Sequence, residues 1–229
     1  MKTGAVIVLP GMDGTDLLLS RFTRLVPPAL SIRVIALPDN PQDDYDTLVD
    51  KILPELRHQP PVHLIAESFS GPLSILLADR YPELVERVTL IATFASSPIP
   101  FVARFFPWWC MVRMPLPRFV AQRYFAGNDQ EMAASLVRAI KHTSSATLAT
   151  RIRLLKKVNV CKELARLQCP VQYIRPLGDR LVPKKCVREI ANVNDRVRIS
   201  EMNGPHLIMQ TRPKQVWATI LNGMLDSAA

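Results

Sequence analysis

Val62-His63-Leu64-Ile65-Ala66-Glu67-Ser68-Phe69-Ser70-Gly71 sets a short apolar run against a serine among small residues, with a helical stretch from Pro72 to Arg80 directly after it. A serine on a sharp strand-to-helix turn has its hydroxyl thrust out at the carboxyl end of a sheet. Backbone N–H groups there sit at a helix N-terminus, where negative charge is stabilised. Ala66 to Gly71 therefore reads as a nucleophile elbow and points to acyl-transfer chemistry. The usual pattern is G-x-S-x-G, and both glycine positions are replaced here, by Ala66 and Ser70. Both replacements are small, and Gly71 adds a residue without a Cβ where the helix begins, so a shifted set of small residues meets the crowding between strand and helix. The plain alternative is a serine that caps a helix. The rest of the chain decides between the two.

Short Val- and Ile-rich runs recur at Ala5 to Leu9, Ile32 to Leu37, Val62 to Ile65, Val88 to Ala92, Val171 to Ile174 and Val197 to Ile199. Between them lie helical patterns at Asp16 to Leu25, Asp43 to Leu56, Ser70 to Arg80, Pro183 to Ala191 and Arg212 to Leu225. Near-continuous apolar strands suit a sheet covered on both faces, and the helices supply the crossovers that parallel strands require. The pattern predicts a doubly wound α/β sheet. Only the interval between the fourth and fifth strands breaks the rhythm. It carries Pro98, Pro100, Pro107, Pro115 and Pro117, then helical periodicity from Asp129 to Ile140 and from Ser145 to Val158.

Two further candidates fall on the same rim as Ser68. Asp179 follows the fifth strand in Pro176-Leu177-Gly178-Asp179, and His206 follows the sixth in Asn203-Gly204-Pro205-His206. Asp after a strand is commonly a helix cap, and a lone His is commonly a core or surface residue, but the set Ser68, Asp179, His206 in that chain order forms a candidate catalytic triad. The first strand runs into Leu9-Pro10-Gly11-Met12-Asp13-Gly14, whose glycines allow a tight loop. The expected oxyanion donors are the backbone N–H groups of Phe69, after the nucleophile, and of Met12.

These motifs, with Leu181-Val182-Pro183, resemble those of the α/β-hydrolase superfamily, and the resemblance runs from Ala5 to the final helix. Leu9 to Thr15 together with Ala66 to Phe69 also resembles the hydrolase domains of plastid ester synthases. The superfamily resemblance implies six parallel strands in spatial order 2-1-3-4-5-6 and a single domain over residues 1–229, with a helical cap inserted at about 97–160. It implies a serine esterase or thioesterase working through an acyl-enzyme that water resolves, with no metal or organic cofactor. An acyltransferase on the same scaffold and a non-catalytic binding protein are the alternatives.

Composition narrows the setting. With 229 residues and 48% hydrophobic content the chain supports one substantial core. Cys110, Cys161, Cys169 and Cys186 lack metal-ligand spacing with His58, His63, His142 and His206, so reduced thiols are expected and a zinc site is not. The apolar run after Met1 is too short for a signal-peptide core, and the expectation is a cytoplasmic protein, free or peripheral to a membrane. Of the net charge of +9, the segment Ser97 to Val160 holds +8. Phe105, Trp108, Trp109 and Met111 in that segment would line a pocket for an acyl chain or other lipid-like ester. Arg151, Arg153 and Lys156 would face an acidic acyl carrier, a phosphate-bearing handle or an anionic membrane surface, unless they form a solvated face. No nucleic-acid recognition motif accompanies these basic residues.

Overall fold

β1 (Gly4–Leu9), β2 (Leu30–Val34), β3 (Val62–Glu67), β4 (Val85–Ile91), β5 (Val171–Pro176) and β6 (Arg198–Met202) form one sheet in the order β2-β1-β3-β4-β5-β6. Every neighbouring pair is parallel. The computed structural model describes residues 4–100 and 116–226. The sheet type is the one the sequence pattern predicts, and the strand order is the one the superfamily resemblance implies.

The central strands are apolar on both faces because both are covered. Ile7, Leu9, Leu64 and Ala66 point to one side, into a cluster with Leu48, Ile52, Leu73 and Leu77. Val6, Val8, Ile65, Ile91 and Ile174 point to the other, against Phe22, Trp217 and Ile220. The two edge strands depart from the expected continuous burial. Leu30 to Val34 alternates half-buried with exposed residues, since an edge strand is only partly covered.

The helices on the first face are α2 (Tyr45–Arg57) and α3 (Ser70–Arg80). Asp44 caps α2 by accepting from the Thr47 N–H at 2.9 Å. The helix expected over Asp16 to Leu25 is a single turn, α1 (Ser20–Thr23). Before it, Asp13 accepts from the Thr15 N–H and Leu19 bonds back to Asp16 three residues earlier, so local turns take the place of helical pairing. What remains of α1 is anchored by Trp217, which stacks on Phe22 at 4.5 Å and donates Nε1–H to its carbonyl at 2.9 Å. The second strand ends at Val34 instead of Leu37, because the Leu37 N–H leaves the ladder for the carbonyl of Gly14 at 2.8 Å. The sixth strand is shifted from Val197–Ile199 to Arg198–Met202, with Val197 closing a turn onto Asn194.

Within the β4–β5 interval lie α4 (Arg118–Val120), a π-helical turn at Ala121–Ala126, α5 (Gln130–Ile140), α6 (Ser145–Lys157) and α7 (Cys161–Arg166). Asp129 and Ser144 cap α5 and α6 through the N–H groups of Met132 and Thr147. Ala121, Ala126, Met132, Leu136 and Ala139 form a separate apolar cluster closed from below by Leu18 and Leu207. Arg21 pairs with Asp129 at 2.5 Å, and Thr150 donates to the Pro41 carbonyl at 2.9 Å. The interval thereby rests on the segments that follow β1, β2 and β6. α8 (Lys184–Val193), α9 (Ile208–Thr211) and α10 (Pro213–Asp226) complete the chain. Among the described residues no helix is long and apolar enough to cross a membrane.

Candidate active site

Ser68 sits between β3 and α3 with φ of 49°, in the left-handed region that glycine favours. Neighbouring chain fixes this turn: the Ser68 N–H donates to Ile91 O at 3.0 Å, and its carbonyl accepts from the Gly71 N–H at 3.1 Å and from the Thr93 hydroxyl. A Cβ on Gly71 would lie 2.0 Å from Thr93 Oγ1, so this glycine is required where the elbow passes the strand end. Ser70, which stands at a usual glycine position, is fully buried and donates its hydroxyl to the carbonyl of Pro10. It therefore joins the elbow to the loop after β1, a role beyond small size.

His206 is 4% exposed, with Nε2 at 3.0 Å from Ser68 Oγ and Nδ1 at 2.8 Å from Asp179 Oδ2. The other Asp179 oxygen accepts from the N–H groups of Leu181 at 2.8 Å and Val182 at 3.0 Å, which fixes the carboxylate within its own loop. A carboxylate opposite Nδ1 keeps the proton there and leaves Nε2 as acceptor for the serine hydroxyl. The two loops meet at glycines: Gly178 donates to Gly204 O at 2.9 Å, and a Cβ on Gly178 would approach that oxygen to 2.8 Å. Burial opposes charging of His206, but the charge and hydrogen bond of Asp179, aided by Glu67, outweigh it and raise the imidazole above its ordinary value. Phe125, on the π-helical turn, stands edge-on to the imidazole at 6.0 Å.

The loop from Gly11 to Gly14 turns back on itself through Gly14 N–H to Gly11 O at 3.0 Å, with Gly14 at φ 72°. Among the described residues neither the Met12 nor the Phe69 N–H has an acceptor. Phe69 is held from both ends: its carbonyl accepts from the Tyr45 hydroxyl at 3.0 Å, and its buried ring stacks on Tyr45 at 5.0 Å.

Arg151 corrects an expectation. It does not face a partner but is 2% exposed, and donates to Met12 O at 2.7 Å and Pro38 O at 2.9 Å. Its guanidinium also lies 5.8 Å from the Phe69 ring centroid. Backbone carbonyls beneath α6 and the nearby charges of Asp13, Asp39 and Asp43 draw it inward. Arg153 is exposed and bonds the Thr150 hydroxyl, while Lys156 is half-buried. Phe105, Trp108, Trp109 and Met111 lie outside the described residues.

Glu67 was not anticipated as part of the site. It is 2% exposed, and both its oxygens accept from Gln210 Nε2, at 2.9 and 2.8 Å. Burial pushes its carboxyl up to about 7, against the opposing pull of His206 and Gln210. An acidic residue ending a largely apolar strand was the available signal. An open groove of about 1140 Å³ runs along the outer side of the Asp179 and His206 loops, lined by Phe119, Arg123, Leu177, Arg180, Pro205 and Arg212 among others. Among the described residues no group of three or more His, Cys, Asp or Glu could hold a metal ion.

A serine hydroxyl bonded to an imidazole that is itself bonded to a carboxylate can pass its proton to the imidazole as it attacks a carbonyl. Residues 5–219 match the alpha/beta hydrolase family. The chain belongs to that family. Among relatives of this alpha/beta hydrolase, RutD of Caulobacter sp. (strain K31), whose assigned name is that of a carbamate hydrolase, is 24% identical over 181 residues. That match covers 73% of this chain and 66% of the relative, just under two thirds of its length. Among solved structures, the enol-lactonase of Burkholderia xenovorans LB400 superposes with a TM-score of 0.80 at 16% identity, covering 97% of this chain and 91% of that one. A carboxylesterase structure from Nitrososphaera gargenis gives 0.79 at 15% identity, covering 97% and 90%. At these identities the structural likeness carries the fold alone.

Proposed function

We propose that this alpha/beta hydrolase cleaves a carboxylic ester or thioester through an acyl-enzyme on Ser68. The observation that carries the reading is the unbroken hydrogen-bonded line from Ser68 Oγ through His206 to Asp179. Ser68 attacks the carbonyl carbon while His206 Nε2 takes its proton, and the imidazolium so formed is stabilised by Asp179. The N–H groups of Met12 and Phe69 receive the oxyanion. Collapse expels the alcohol or thiol, which takes the proton from His206. Water, deprotonated by the same imidazole, then releases the acid.

The relative named for carbamate hydrolysis favours adding carbamates to the substrates tried, since the same nucleophile forms a carbamoyl-enzyme. The described part of the β4–β5 interval, resting on the loops at the carboxyl ends of the strands, acts as a cap over the site. An acidic carrier would meet Arg123, Arg180 and Arg212 along the outer groove, where none of the three has an acidic partner among the described residues.

The test is fluorophosphonate labelling with a panel of esters, thioesters and carbamates of varied acyl length, on wild type and Ser68→Ala. Loss of label and a rate loss of at least about a hundredfold are expected for the variant. Retained labelling of Ser68→Ala would end the assignment.

A further inference from the structure

Glu67 directly precedes Ser68 yet takes no part in the serine-imidazole line. Its carboxylate is held by Gln210, which is fully buried on α9, a one-turn helix that begins two residues after His206. The pair ties the strand that carries the serine to the loop that carries the imidazole. Among the described residues Gln210 Oε1 has no partner, and the amide N–H is directed to the carboxylate.

The charges facing Glu67 come from three loops: His206 after β6, Asp179 after β5 and Asp13 after β1. A Cβ on Gly11 would lie 3.7 Å from Glu67 Oε2 and 3.8 Å from Asp13 Oδ1, so the two carboxylates border the same stretch of the Gly11–Gly14 loop. Asp13 has the Arg151 guanidinium as a counter-charge. The only opposite charge acting on Glu67 among these groups is His206 when protonated.

We propose that Glu67 is a positioning residue for His206: its buried carboxylate, anchored by Gln210, ties the strand that carries Ser68 to the loop that carries the imidazole and stabilises the imidazolium. This rests on the reading of His206 as the base. When His206 takes the serine proton, an ionised Glu67 stabilises the imidazolium alongside Asp179, and a neutral one does not. As pH falls, Glu67 and His206 compete for the first proton, so activity declines in two shallow steps instead of one.

The experiment is an NMR titration of protein carrying ¹³C-labelled histidine, in which four histidines must be resolved. It is run on wild type and Glu67→Gln, beside kcat/KM from pH 5 to 9. The neutral variant should lower the His206 midpoint by at least about 0.5 pH unit. Its acid limb should move the same way and sharpen to a single step. An unmoved His206 midpoint in folded Glu67→Gln overturns the proposal. Should that variant fail to fold, Gln210→Met serves: a carboxyl without its donor stays neutral to higher pH, and His206 must shift downward again, with an unmoved midpoint overturning the proposal. Failure of the serine reading looks different, because labelling would survive in Ser68→Ala while the His206 shift persisted.

Discussion

Nη1 of Arg151 donates to the carbonyl oxygen of Met12 at 2.7 Å, so a helix of the β4–β5 interval holds the loop that offers one proposed oxyanion donor. Its other arm reaches Pro38, and its guanidinium lies beside the ring of Phe69, the residue offering the second donor. Arg151→Met should lower kcat by roughly 10- to 100-fold with KM little changed, because the loss falls on charge developing in the transition state. Gly14→Ala should act through the same contact, since its Cβ would lie 2.5 Å from Arg151 Nη1 at a φ of +72°. The two losses should fall short of adding in the double variant. Steady-state kinetics at wild-type values for Arg151→Met would remove the role.

Asp179→Asn keeps the shape of the side chain but offers an amide where Nδ1–H needs an acceptor. The imidazole then takes the wrong tautomer toward Ser68, and kcat should fall by about 10³- to 10⁴-fold, by analogy with the serine protease triad. Thermal stability should change far less than activity. A variant within tenfold of wild type on a small ester would speak against Asp179.

Gly71→Ala pushes a methyl into Thr93, at 2.0 Å from Oγ1 and 2.7 Å from Cβ. Overpacking of this kind costs about 1–3 kcal/mol, a loss of several degrees in the melting midpoint at this chain length. Adding Thr93→Ala should not restore stability, because Cβ itself is in the way, whereas Thr93→Gly should restore part of it. Calorimetry on the three variants separates these outcomes.

His63 is 1% exposed, with Nε2 at 2.8 Å from Thr89 Oγ1 and, among the described residues, no partner for Nδ1. Burial, with a smaller push from Arg87, lowers its pKa to about 3. The unfolded chain binds this proton below about pH 6.5 while the folded chain does not until about pH 3, so stability falls as pH drops through that window. The full effect is of the order of several kcal/mol. His63→Gln should flatten the denaturant midpoint against pH between about 6 and 4; an unchanged slope would show that other groups drive acid unfolding.

If an acidic carrier delivers the acyl group, reversing Arg123, Arg180 and Arg212 to Glu should cut activity on the carrier-linked thioester by about tenfold or more and leave a small ester unaffected, with high salt reproducing the loss in wild type. Arg153→Glu should do much less. Equal loss on both substrates would point to disturbance of the adjoining Asp179 and His206 loops.

The sequence places Ser68, Asp179 and His206 on one rim because each follows an apolar strand directly, and a parallel sheet puts all such strand ends on one side. The structure brings them within hydrogen-bond distance. Arg151 was not legible, since its partners are carbonyls, which leave no mark in a sequence and make a buried cation look like one more surface charge. Glu67 and Gln210 escaped for a related reason: α9 is a single turn, too short for periodicity to reveal which side of it is buried. The elbow's missing glycines were legible as small residues, but only the contact with Pro10 shows why Ser70 is more than small.

The contacts that assemble the site join residues very far apart along the chain: Ser68 with His206 across 138 positions, Met12 with Arg151 across 139 and Glu67 with Gln210 across 143. Loop closure over such lengths is entropically costly and slow to form. During refolding, secondary structure should therefore return well before the ability to react with a fluorophosphonate. A nascent chain that has emerged only through β4 would carry a serine with no base to activate it, so the ordering of these contacts keeps the nucleophile silent until the segment bearing His206 has been made and docked.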